Sequence, residues 1–282
     1  MKITNKLNLP ECFVSVSNRE FSDTRFSVTE LLNSTREIIL KRKYYNEIEK
    51  DVCDVIPALF GSAVHSILEK NTLATDTLKP EFKIECKIDD VDLVGIIDLL
   101  DIATLTIKDY KTCSVSKITK ADFNDWKLQG LAYAYILYIK YGIIIKHLEF
   151  YALMKDWSKV KAGTSANYPS SPVYVWKYDI SDSDYDYIEK ILKDKIKDIK
   201  SHDIDNLPEC TDTDKWYTGT TYAVYKNAND KRATILCDTE QEARDYINNK
   251  LNGAGIIDVR KGEYLKCKYY CDVCKFCPKH NF

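Results

Sequence analysis

The 282-residue chain contains only nine glycines, seven prolines and two methionines. No unit repeats along it and no low-complexity tract interrupts it, so neither a repeat array nor a disordered segment is expected. It has no uninterrupted run of about 18 apolar residues, and its opening, MKITNKLNLPECF, lacks the apolar stretch of a signal peptide. A soluble, cytoplasmic protein with no membrane partner is the expectation. The phosphate-binding pattern G-x-x-x-x-G-K-[ST] is also missing. Ten cysteines occur without a secretory signal, which argues against a disulfide scaffold.

What is present is ample material for a core: 45% of residues are apolar and 30% are charged. That length and balance suit one large domain, or a domain with a sizeable appendage. The formal net charge of −2 hides an uneven distribution. Residues 178–214 carry twelve Asp or Glu against five Lys, whereas residues 260–279 carry six Lys or Arg against two acids. A chain near neutrality can thus present a local basic surface to phosphates, although charge runs are most often solvated faces.

The hydrophobic pattern predicts a helix over 27–52 and a second over 57–70, opening on Pro57 and placing Phe60, Val64, Ile67 and Leu68 on one apolar face. Strands follow over 81–88, 91–102 and 104–112, the last two joined as a hairpin. A helix over 121–142, ending at Gly142, and a strand over 147–155 complete a mixed α/β order. Residues 155–172 read as a loop, 172–180 as a strand and 182–200 as an acidic helix. Beyond these, TYAVYKNANDKRATILCD suggests a hairpin turning at NAND, and Thr239 and Glu242 have capping-box spacing. We expect residues 1–205 to form the core with its N-terminal helical region, and 206–282 a C-terminal, cysteine-rich appendage.

Four short patterns carry chemistry. Asp109 and Lys111 alternate on one strand and therefore share a face. Asp98, in GIID, lies on the preceding strand of the hairpin. Two carboxylates held close repel unless a divalent cation sits between them, and oxygen ligands suit Mg²⁺ or Mn²⁺. On the helix 57–70, Gly61, His65 and Glu69 form a stripe, offering an imidazole nitrogen and a further candidate carboxylate. On the later helix Asp122, Trp126, Gln129 and Tyr133 fall on one face. Singly, each pattern has an ordinary structural reading: a satisfied histidine, a solvated ion pair, helix surface. Their succession, G-x-x-x-H, G-x-x-D, D-x-K, Q-x-x-x-Y, on helix, strand, strand and helix, is hard to obtain by chance.

That succession resembles the PD-(D/E)XK nuclease superfamily in its RecB-like branch. Within the branch, SVTELL, ALFGSAVHSILE, DLVGIIDLLD, IKDYKT, DWKLQGLAYAY and KDWSKVKA are most similar to a group of phage-encoded exonucleases. The resemblance implies a restriction-endonuclease-like α/β fold, a mixed central sheet flanked by helices. It implies Mg²⁺- or Mn²⁺-dependent hydrolysis of DNA phosphodiesters in phage recombination, repair or replication, in the bacterial host cytoplasm. His65, Asp98, Asp109 and the Tyr110 carbonyl would be metal ligands, with Asp98, Asp109, Lys111, Gln129 and Tyr133 as the catalytic set. DNA with free ends, single- or double-stranded, is the implied partner, together with a helicase or recombinase. Two alternatives stay open: a structure-specific endonuclease, and a non-catalytic DNA-binding or scaffolding subunit of a helicase–nuclease assembly.

Near the C-terminus, KCKYYCDVCKFCPKH spaces Cys267, Cys271, Cys274 and Cys277 as C-x3-C-x2-C-x2-C. Thiolates at this density suit tetrahedral Zn²⁺ or an iron–sulfur cluster. The family resemblance puts a [4Fe–4S] cluster ahead of zinc. It also raises the alternative that Cys210 replaces Cys274 beside Cys267, Cys271 and Cys277, because the N-terminal position where the family carries a first cysteine holds Ser34 and Thr35 here.

Overall fold

The structure is a computed structural model that describes residues 1–17, 21–22 and 24–279. It divides into two compact units, Met1–Leu207 and Pro208–Phe282.

In the first unit, β1 (Lys2–Thr4) is followed by the short helix α1 (Glu11–Ser15), β2 (Arg25–Ser27), α2 (Val28–Leu31) and α3 (Thr35–Tyr44). The single helix expected over 27–52 is therefore broken. Ser27 and Ser34 both have extended backbones, and each side chain accepts an N–H from the turn it starts: Glu30 N at 3.1 Å and Glu37 N at 3.3 Å. Each cap begins a new helix and interrupts the one before it. β3 (Glu49–Asp51), paired in parallel with β1, leads into α4 (Val52–Lys70).

Helix α4 starts five residues earlier than Pro57 because Asp51 and Asp54 form a capping box. Pro57 lies inside it, where the missing N–H forfeits only the bond to the Cys53 carbonyl. Gly61, Val64, His65 and Leu68, all half-buried, form its packing face, and Phe60 and Ile67 are left exposed. The apolar stripe expected over Phe60–Leu68 is thus split, because α4 packs on the sheet through the side that carries His65. By length and composition α4 meets the requirement for a membrane-spanning helix.

The sheet has six strands in the order β2-β5-β6-β7-β8, with β4 also paired to β5. β4 (Leu78–Ile88) and β5 (Val91–Asp101) are antiparallel across a two-residue turn, Asp89–Asp90, both at positive φ. β6 (Thr106–Cys113) pairs antiparallel to the end of β5 only, from Leu99↔Lys108 to Asp101↔Thr106. Helix α5 (Val115–Lys120) and the long helix α6 (Asn124–Tyr141) then carry the chain across to β7 (His147–Met154), which lies parallel to β6. A one-and-a-half-turn helix, α7 (Lys159–Thr164), stands in the segment expected to be a loop. Edge strand β8 (Val173–Asp179) and helix α8 (Asp182–Ser201) close the unit.

Sheet register assigns the two faces. Ile107 and Asp109 share the face on which α6 lies, since Gly130 of α6 sits against Leu148 and Phe150, their partners on β7. A Cβ on Gly130 would come within 2.7 Å of Leu148 Cδ1, so the glycine sets how closely helix and sheet approach. Tyr110 and Thr112 take the other face, where Gly61 of α4 meets Thr112. That contact would be an ordinary 3.5 Å for a Cβ, so the approach of α4 does not require a glycine at position 61. Helix α8 seals the core with Ile188, Leu192 and Ile196. The result is the expected mixed α/β core, a central mixed sheet flanked by helices.

The second unit pairs β9 (Thr221–Tyr225) with β10 (Ile235–Cys237) and β11 (Ile256–Arg260) in an antiparallel sheet. Between β10 and β11, helix α9 (Glu240–Lys250) packs Ala243 and Ile247 against Val224 and Cys237. It begins at the Thr239–Glu242 capping box. The short helix α10 (Leu265–Tyr269) opens the cysteine-bearing tail.

Candidate active site

Asp98 stands where the hairpin changes character. Leu93 and Ile97, before it, belong to the same core cluster as Leu100, after it, although a regular strand would send residues 97 and 100 to opposite faces. The facing therefore switches across Asp98. Opposite it in the constant β4–β5 register is Glu81, whose backbone has φ 46°, outside the β region. The next facing position on β6 is Asp109, and there the β5–β6 pairing stops. Asp98 replaces the missing rung with its side chain: Oδ2 accepts the Tyr110 N–H at 2.7 Å, and Oδ1 lies 3.1 Å from His65 Nδ1.

His65, Glu81 and Asp98 bring one ligand atom each within 4.8 Å of one another. The His65 imidazole has a raised pKa, first through its bond to Asp98 and against the effect of burial. Burial raises the Glu81 carboxyl, helped by the negative charges of Asp98 and Glu69. The His65 shift, and the lesser part of the Glu81 shift, express crowded negative charge that protons, or a cation in their place, relieve.

The second half of the site is dry. Asp109 is only 3% exposed. Burial, reinforced by the charge of Asp98, holds its carboxyl above the usual carboxylate range against the pull of Lys111. Lys111 Nζ is 2.7 Å from Asp109 Oδ2 and donates to Gln129 Oε1 at 2.8 Å. Gln129 Nε2 in turn donates to the Tyr133 oxygen at 2.9 Å and reaches Asp109 Oδ1 at 3.4 Å. Gln129 and Tyr133, one turn apart on α6, thus fix the ammonium from above. Tyr133 can lie there because Gly95 of β5 has no side chain: a Cβ would stand 2.7 Å from Tyr133 Cε1. The Lys111 ammonium, at 2.7 Å, is the partner of Asp109 Oδ2.

The imidazole of His65 with the carboxylates of Glu81 and Asp98 is a donor set that a hard or borderline divalent cation satisfies; Asp109 stands outside that convergence and acts on it through its charge. The imidazole favours Mn²⁺ over Mg²⁺.

The structure thus brings together His65, Asp98, the Tyr110 backbone, Asp109, Lys111, Gln129 and Tyr133. Glu69 is exposed and outside the converging group; it acts on Glu81 only through its charge. Asp122 lies before α6 begins, so it does not continue the Trp126–Gln129–Tyr133 face. The Tyr110 side chain is half-buried between His65 and Tyr151. Glu81 was missed. Counting back from the Asp89–Asp90 turn places it opposite Asp98, but its strand alternation gave no sign that its backbone leaves the ladder.

In the second unit, burial and the nearby thiols of Cys274, Cys210 and Cys277 raise the Cys267 thiol.

No family model and no curated protein matches the chain. Among solved structures, SSO0001 is similar at 13% identity over 66% of this chain and 82% of its own, with a TM-score of 0.45. A candidate exonuclease from Eubacterium rectale is similar at 14% identity over 65% of this chain and 68% of its own, with a TM-score of 0.30.

Proposed function

We propose that the protein is a metal-dependent deoxyribonuclease, an exonuclease acting on DNA with free ends, as the sequence resemblance implies. The observation that carries this reading is the continuous contact Tyr133–Gln129–Lys111–Asp109 beside the His65–Glu81–Asp98 convergence. A structural ion pair needs no second amide to aim its ammonium and no imidazole on the neighbouring carboxylate.

His65, Asp98, Asp109, the Tyr110 carbonyl and Glu81 would hold one or two Mg²⁺ or Mn²⁺ ions, which when bound polarise a phosphate and lower the pKa of a water. Lys111 keeps a positive charge where negative charge develops on phosphorus-bound oxygen. Gln129 fixes its position, so little reorganisation is needed during the reaction. Tyr133 and Gly95 hold Gln129 in turn. Burial beneath α6 keeps water from weakening these charges.

In the appendage, Cys267, Cys271 and Cys277, with Cys274 or Cys210 as fourth, would hold a [4Fe–4S] cluster or Zn²⁺ and tie the tail together. Cys274 and Cys210 both stand close enough to act on Cys267, which suits either as the fourth ligand. A helicase or recombinase would supply unwinding, and phage recombination, repair or replication is the proposed setting.

End-labelled linear DNA incubated with Mn²⁺ or Mg²⁺ tests the reading. Degradation by the native protein, lost in Lys111→Ala and Asp98→Ala variants of unchanged fold, is the expected result. Activity undiminished in both variants would remove the site assignment. Cleavage of a covalently closed circle would favour an endonuclease, and binding without cleavage a scaffold.

A further inference from the structure

The segment between β7 and β8, residues 155–172, buries little yet is heavily braced. Its ends meet: Lys155 N donates to Cys113 O at 2.9 Å, and Met154 N to Pro172 O at 2.9 Å. Asp156 Oδ1 accepts the Val115 N–H at 2.7 Å and so ties the segment to the start of α5. Inside the loop, Trp157 Nε1 donates to Pro169 O at 2.8 Å. The Tyr168 hydroxyl accepts Ser158 N at 2.9 Å and donates to Asp156 O at 3.2 Å. Trp157 and Tyr168 pack against the core, and Ser158 caps α7.

This bracing is spent on a helix with no buried residue. At its tip Val160 is 76% exposed, with exposed Lys159 and Lys161 on either side. Asp156 is the sole acid of the segment, against Lys155, Lys159 and Lys161, and one of its oxygens is held by the Val115 N–H. The loop is rooted at Cys113, two residues beyond Lys111 on β6, a rise of about 7 Å along a strand.

An ordered loop that holds an apolar tip between two ammonium groups suits one ligand in particular: a DNA duplex end, whose terminal base pair meets the apolar wedge while its phosphates meet the lysines. We propose that the α7 loop is a DNA-end contact in which Val160 separates the terminal base pair and Lys159 and Lys161 hold the flanking phosphates, feeding one strand toward Lys111. This rests on the nuclease reading for its direction and for the Val160 readout, but not for its binding test.

The experiment has two readouts on the full-length protein. In chelator, where no cleavage occurs, fluorescence anisotropy measures affinity for a labelled blunt duplex across a salt series. Lys159→Ala/Lys161→Ala should weaken binding about tenfold and lower the slope of log K against log [salt] by about 2, one for each phosphate contact. Equal affinity and slope in native and double variant would overturn the proposal, as would an absence of DNA binding by the native protein. In Mn²⁺, Val160→Ala should slow degradation of a blunt duplex several-fold while single-stranded DNA is degraded at the native rate. Equal slowing on both, or on neither, would remove the wedge. If the native protein binds but cuts nothing, the nuclease reading fails and the anisotropy result still decides the loop. Circular dichroism on each variant confirms that the fold is kept.

Discussion

The Asp98 carboxylate accepts the backbone N–H of Tyr110 at 2.7 Å, at the position where β5 and β6 cease to pair. A side chain thereby takes the place of a carbonyl in the ladder. One carboxylate oxygen is used to hold the two strands apart, and the other is left to face His65. The same bond fixes the Tyr110 peptide between Asp98 and Asp109.

Asp109 is buried and its carboxyl is held above the usual carboxylate range, so its charged form destabilises the folded state. A raised carboxyl loses stability as pH rises from the unfolded value through the folded one. In chelator at pH 8, Asp109→Asn should therefore melt at or above the temperature of the native protein. The difference should vanish near pH 4, where both carry a neutral group. Nuclease activity with Mn²⁺ should nevertheless be lost. Thermal melts at the two pH values, with end-labelled DNA degradation alongside, check both halves.

Lys111→Met removes the ammonium while keeping most of the side-chain volume. In the proposed mechanism its charge faces developing negative charge, so kcat should fall by about 10²–10³-fold. Gln129→Leu should lower activity less, because it releases the lysine without removing it. Single-turnover rates at saturating Mn²⁺ distinguish the two.

His65→Ala should weaken Mn²⁺ binding more than Mg²⁺ binding, since the nitrogen ligand is what favours the former. Glu81→Gln should weaken both. Titration of each ion, followed by the rise in melting temperature it produces, reports the affinities without any need for turnover.

Gly95→Ala places a methyl group 2.7 Å from the Tyr133 ring at a backbone position held by pairing to Ile84 of β4. The ring has to move, and overpacking of this kind costs about 1–3 kcal/mol. Because Gln129 leans on Tyr133, activity should fall further than stability alone explains. Urea unfolding and kcat measured on the same preparation separate the two effects.

Asp184 starts α8, accepting Ser181 N at 2.9 Å, Ser181 Oγ at 2.7 Å and the Tyr178 hydroxyl at 2.9 Å, with Lys127 Nζ at 3.1 Å. Against burial, these partners pull its carboxyl down to about 2. A depressed carboxyl stabilises above its unfolded pKa and loses that contribution as pH falls through the folded value. Asp184→Asn should thus lower stability by about 1–2 kcal/mol at neutral pH. The deficit should shrink between about pH 4 and pH 2, which denaturant titrations at several pH values will show.

The Asp109–Lys111 pair could be read from strand alternation, and the order of helices and strands from hydrophobic period, because both depend on local geometry. Gln129 and Tyr133 lie one helical turn apart, so their shared face was legible too. The N-terminal helix was misread because two serines cap and divide a continuous apolar pattern, and caps act over three residues where the pattern acts over many. Which side of α4 packs was also hidden. Its apolar stripe and its Gly61–His65 side compete for the sheet, and the packed side is the one whose His65 meets Asp98 and whose Gly61 meets Thr112.

The sequence by itself determined the mixed α/β order, the carboxylate and ammonium on β6, and the cysteine spacing near the C-terminus, each set by neighbours along the chain. Only the tertiary structure decided that Glu81 stands opposite Asp98, that Glu69 stays outside the group, and that Asp109 is dry. The reason is physical. Glu81 departs from the strand backbone because β5 reverses its facing at Asp98, and Asp109 is sealed by α6, whose distance is set by Gly95 and Gly130. Burial and register of this kind arise from packing between elements far apart in the chain, and no window of the sequence contains them.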